Sequence, residues 1–139
     1  MLKTGLTLLF FTALVTVSCR RNINSIPQVP VDLVINIQDP IYQSLNGIGG
    51  SMEVSGGSRG IIIFRVNAED FQAYDRHCPY LPDNACGQAT VAETNYTALD
   101  SCCESQFQLI DGAPISGPAT IGLKPYNTSF DGNIIQIWN

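Results

Sequence analysis

The residues with the most chemical scope are five cysteines and a single histidine in a chain of 139 residues. Four of the cysteines fall in one stretch, as His77-Cys78, Cys86 and the vicinal pair Cys102-Cys103. Thiols at these spacings can pair as disulfides, stay free as redox groups, or ligate a metal as thiolates. Four cysteines allow three pairings, and spacing does not choose among them. A disulfide between sequence neighbours is strained, so Cys102 and Cys103 are expected to have different partners. The lack of any C-x-x-C pair argues against a zinc ribbon. His77 and Cys78 are adjacent, and in an extended segment their side chains point to opposite sides, which makes joint ligation awkward. His77 therefore reads as a solvated loop residue or a hydrogen-bond partner. One histidine supports no Ser/His/Asp nucleophile. Only Glu69-Asp70 are adjacent among twelve scattered carboxylates, so paired acid–base catalysis is unsupported. Gly49-Gly50 and Gly56-Gly57 read as turn formers and not phosphate loops, since no Lys-Ser/Thr or helix follows them.

The elements that must position these thiols read as short strands. Val31 to Ile37 is β-branched, Ser51 to Ser55 alternates, and Gly60 to Val66 (GIIIFRV) is a continuous apolar run between Gly-rich turns, as in a strand buried on both faces. Phe71 to Tyr74, Phe107 to Ile110, Leu123 to Phe130 and Asn133 to Trp138 complete the set, with Asp111-Gly112 and Asp131-Gly132 as tight-turn pairs. No segment holds a helical period. This predicts an all-β antiparallel sandwich or small barrel over residues 31–139. The stretch from Asp75 to Ser105 reads as irregular, and a loop region that long inside a compact domain is usually functional.

The N-terminus is read separately. Leu6 to Val17 is apolar but shorter than the about 20 residues that span a bilayer, and has the length of a signal-peptide core. It ends at Ser18-Cys19, which resembles a bacterial lipobox. That resemblance implies a signal peptide over residues 1–18, lipidation of Cys19, and a tether over 19–30 that is polar with two prolines. A plain secretory signal is the alternative, and either implies export, hence disulfides as the default state of the thiols. The expected location is the cell envelope, on a periplasm-facing membrane. After Cys19 there are six basic and twelve acidic side chains, so nucleic acid is not an expected partner. The expected partners are the membrane, through the lipid, and an envelope protein.

The segment DRHCPYLPDNAC, followed after a spacer by LDSCCESQFQLIDGAPISGPATIGLKPY, resembles the Rieske iron–sulfur domain, and in particular the Rieske-like lipoproteins of Gram-negative bacteria. Ser105-Gln106-Phe107, Asp111-Gly112, Gly117-Pro118 and Leu123-Lys124-Pro125-Tyr126 follow the order of that family's second loop and the strands after it. Pro40-x-Tyr42-x-x-Leu45, the paired glycines and Gly60-Ile61-Ile62 match the lipoproteins' first half. The resemblance implies a Rieske-type β fold with a small two-loop subdomain, a [2Fe–2S] cofactor and electron transfer. Its ligand positions fall on Cys78, Tyr80, Asp100 and Cys103. Only Cys78 is of the expected type, and a Rieske centre needs two cysteines and two histidines. One histidine in the chain excludes a normal centre by count. The family's linking disulfide falls on Cys86 and Cys102. Cys78 and Cys103 should then lie a few ångströms apart, with a second disulfide as the favoured reading. The alternatives are free or redox-active thiols, or metal ligation helped by His77, Asp100 or Glu104. Tyr80 is expected to fill the vacated pocket and Asp100 to cap a turn. The function these expectations favour is a degenerate, disulfide-stapled structural or binding module and not an enzyme. The alternatives are a [2Fe–2S] electron carrier or a thiol-redox or metal site at Cys78 and Cys103.

Overall fold

The computed structural model describes residues 26–139. The signal segment, Cys19 and the start of the tether lie outside the described residues. Ten strands form two antiparallel sheets. β1 (Asp32–Asn36), β2 (Ser51–Val54), β3 (Ile61–Arg65), β4 (Phe71–Asp75), β9 (Pro125–Phe130) and β10 (Ile134–Trp138) make a six-stranded sheet in the order β1-β10-β9-β4-β3-β2. β5 (Ala89–Val91), β6 (Thr97–Asp100), β7 (Ser105–Gln108) and β8 (Pro114–Ser116) make the smaller sheet in chain order. The larger sheet curls until its two edges, β1 and β2, line the same groove with Ile41 and Tyr42.

The run at β3 is continuous because it serves two cores. Ile61 and Ile63 point into the core of the large sheet with Ile35, Phe71, Ala73, Ile135 and Ile137. Ile62 and Phe64 point the other way, into a second core with Tyr74, Cys78, Ala98, Phe107 and Leu109. Neighbouring side chains on a strand face opposite sides, so one strand welds the base to the cysteine-bearing subdomain. Burying each Ile, Leu or Phe among them contributes about 1.5–3 kcal/mol. Polar links reinforce the weld. Arg76 pairs with Glu53 at 2.9 Å and donates to Ala89 O and Thr90 Oγ1, while Glu53 accepts from Val91 N, so β2, β5 and the residue that follows β4 share one network.

Three expectations need correction. The stretch 75–105 is not wholly irregular, because β5 and β6 lie in it. Both are short and lack a clear alternation, and it is pairing with each other and with β7 that makes them strands. Pro40–Asn46 forms a 3-10 helix, started by Asp39, whose side chain accepts from Ile41 N. Residues 26–30, read as tether, lie on the body: Ile26 is buried, and Asn139 binds Val29 O and Val31 N.

Candidate functional site

The site is assembled from two loops. The first follows β4 and runs through His77, Cys78 and Cys86 to β5. The second is the turn 101–104 between β6 and β7, with Asp100 and Ser105 paired directly at its base. Cys86 and Cys102 are joined by a disulfide across the two loops, 16 residues apart in sequence. Cys78 and Cys103 remain free thiols with their sulfurs 3.5 Å apart. The second disulfide expected here is therefore not formed. Cys103 is held from its own loop, its thiol donating to Ser105 Oγ at 3.1 Å. Ser105 Oγ also accepts from Ala119 N, and Gly117 makes that approach possible, since a Cβ at its φ of +88° would lie 2.5 Å from Ser105 Cα.

Asp100 completes the cluster. A carboxylate oxygen of Asp100 and the sulfurs of Cys78 and Cys103 all lie within 4.8 Å of one another. Asp100 does cap a turn, Oδ1 accepting from Cys102 N at 2.7 Å. It is also fully buried, and its Oδ2 has no hydrogen-bond partner of acceptable geometry. A buried acceptor without a partner is costly and calls for an explanation. Burial pushes the Cys78 thiol up, and the Asp100 carboxylate and Cys103 push the same way, while the Tyr80 amide acts against them. Cys78 is thus held as the neutral thiol at neutral pH.

The other candidates lie apart from this group. Tyr80 is 37% exposed and does not fill a buried pocket. Glu104 is exposed, at a left-handed φ of 60° in the turn. His77 is not solvated. It is buried, with Nδ1 2.8 Å from Ser58 Oγ and Nε2 2.7 Å from Pro82 O. A carbonyl can only accept, so Nε2 carries a proton, while Nδ1 pairs with the serine hydroxyl. Both ring nitrogens are used, and His77 is a positioning residue that moors the first loop to the glycine turn.

Asp75 is the anchor that sequence reasoning missed. It is fully buried and accepts four hydrogen bonds. Ser58 N (2.7 Å) and Tyr126 Oη (2.6 Å) donate to Oδ2, and His77 N (2.9 Å) and Arg59 N (3.3 Å) donate to Oδ1. Gly57, at φ +58°, forms the turn that brings those amides in, and a Cβ there would lie 2.6 Å from Asp75 Oδ2. Arg59 then reaches over to Gly87 O at 2.6 Å. The signal available in the sequence was a carboxylate closing an apolar strand opposite a Gly-Gly-Ser turn.

No family model matches the chain, and no curated protein matches it significantly. Solved structures do. The plasma membrane Rieske protein PetC3 of the cyanobacterium Synechocystis PCC 6803 superimposes with a TM-score of 0.56 at 19% identity, over 77% of this chain and 97% of that one. The chain folds as a Rieske-like domain. The complex of reduced oxygenase and oxidized ferredoxin in carbazole 1,9a-dioxygenase gives 0.52 at 18% identity, over 81% and 94%. The ferredoxin of carbazole 1,9a-dioxygenase from Nocardioides aromaticivorans IC177 gives 0.50 at 16%, over 78% and 95%. In this Rieske-like domain the grouped donors are Cys, Asp and Cys, with no ligand histidine among the described residues.

Proposed function

We propose that the protein is an envelope lipoprotein whose Rieske-like domain carries no normal [2Fe–2S] centre and acts as a disulfide-stapled structural or binding module. One observation carries this reading: the single histidine spends both ring nitrogens on Ser58 and Pro82. The residues at the site therefore do not fit a Rieske centre, whose second iron needs two imidazoles. What remains is a well-braced pair of loops, tied by Cys86–Cys102 and moored by His77 and Arg59.

Iron and acid-labile sulfide, measured on the full-length chain isolated without oxygen, test it. The expected result is neither, with no Rieske-type EPR signal after reduction. Two irons and two sulfides per chain would instead make it an electron carrier with unusual ligands. The anchor has its own test. The proposed anchor is the lipid on Cys19, and no helix among the described residues is long and apolar enough to cross a membrane. Cys19→Ala is expected to move the chain from the membrane to the soluble fraction, and retention in the membrane would refute lipid anchoring.

A further inference from the structure

We propose that Cys78, Asp100 and Cys103 hold one thiophilic divalent cation of the zinc class. The inference rests on the reading above, since it needs the pair of sulfurs that a [2Fe–2S] centre would otherwise claim. The two sulfurs are 3.5 Å apart and a carboxylate oxygen of Asp100 lies within 4.8 Å of both. Tetrahedral zinc with bonds of about 2.3 Å to sulfur and 2.0–2.2 Å to oxygen sets its ligand atoms about 3.3–3.8 Å apart. The sulfurs need only move by tenths of an ångström, and the carboxylate oxygen is already within 4.8 Å of both. Cys103 sits half-buried on a hairpin turn, where such movement is easy.

The unpartnered Asp100 Oδ2 separates this inference from a simple dithiol. It is fully buried, and Oδ1 already serves Cys102 N. Among the described residues the one ion pair joins Arg76 to Glu53, so no Lys or Arg side chain neutralises Asp100. A Cys78–Cys103 disulfide would consume both sulfurs and leave that oxygen as it is. A cation satisfies all three donors at once. Carboxylate and thiolate together with a vacant fourth position suit zinc, with water as the fourth ligand. No electron moves: Zn²⁺ displaces two thiol protons to solvent and binds the resulting thiolates and the carboxylate. Burial in the second core sets Cys78 out of reach of bulk solvent. Its amide is held by Gly87 O, so the first donor is fixed before the ion arrives.

The full-length chain, isolated without oxygen and stripped by a chelator, is titrated with Zn²⁺ and separately with Co²⁺. One ion per chain is expected, with Cys78 and Cys103 shielded from alkylation by zinc. Co²⁺ should give an intense near-ultraviolet thiolate-to-metal charge-transfer band, a readout that needs no variant. Cys103→Ser should abolish the band, and Asp100→Asn should weaken zinc binding by roughly 10-fold or more. Absence of the band with both thiols free would overturn the site, as would equal zinc binding by Cys103→Ser, or a Cys78–Cys103 disulfide in the isolated protein. Two irons with two sulfides would overturn the proposed function instead, so the two failures are distinguishable.

Discussion

Asp75→Ala is expected to cost about 4 kcal/mol of stability, because it strips one buried carboxylate from four donors at once. A hydrogen bond to a charged group contributes about 1.5–3 kcal/mol, and four in one network do not add fully. Three of the orphaned donors are backbone amides, and the fourth is the Tyr126 hydroxyl. Thermal unfolding should show a fall in Tm on the order of 20 °C for a domain of this size. Tyr126→Phe removes only one of the four bonds and should cost about 1–2 kcal/mol. The decisive comparison is between the two variants. If Asp75→Ala costs no more than Tyr126→Phe, the carboxylate is not the hub that joins the glycine turn to the first cysteine loop. The loss should also reach the site, since His77 N is one of the four donors and His77 moors the loop through Pro82.

Parts of this arrangement were legible in the chain and parts were not, for physical reasons. The run Ile61-Ile62-Ile63-Phe64 announces a strand with no polar face, and the two cores on its two sides are why. Asp131-Gly132 marks a hairpin because Asp131 Oδ1 collects Asn133 N and Ile134 N, and Gly132 adopts a φ of 105°. The strands β5 and β6 were not legible. Ala89–Val91 is three residues long and Thr97–Asp100 carries two polar residues, so neither has enough alternation to be seen. The β7 strand begins at Ser105, two residues before the apolar run that was read as its start, because its register is set by Asp100↔Ser105. The Cys/Asp/Cys group was legible only through family resemblance. Asp100 is 22 residues from Cys78 in sequence, and nothing local says that its carboxylate is buried without a partner. Asp75 was missed for the opposite reason: taken alone it looks like any acidic residue at a strand end, and its role shows only when it is set against the glycine turn 17 residues earlier that supplies its amides.

Replacing Cys86 and Cys102 together by serine is expected to cost about 3 kcal/mol, the chain entropy released when a loop of 16 residues is opened in the unfolded state. The native loops keep other ties. His77 holds Pro82, Arg59 holds Gly87, and Asp100 holds the Cys102 amide, so the folded geometry should survive the loss. A destabilisation acting on the unfolded state has a signature beyond its size. The unfolded chain becomes more expanded, so the urea m-value should rise as the midpoint falls. Cys78 and Cys103 offer the contrast, because no disulfide joins them and their replacement leaves the bridge's constraint on the unfolded chain as it was. A midpoint shift with an unchanged m-value would locate the effect in the native loops and not in the unfolded chain. A cost well under 1 kcal/mol would mean that the bridge adds little to what the hydrogen bonds already hold, and the two loops would then owe their juxtaposition to Asp75, His77 and Arg59.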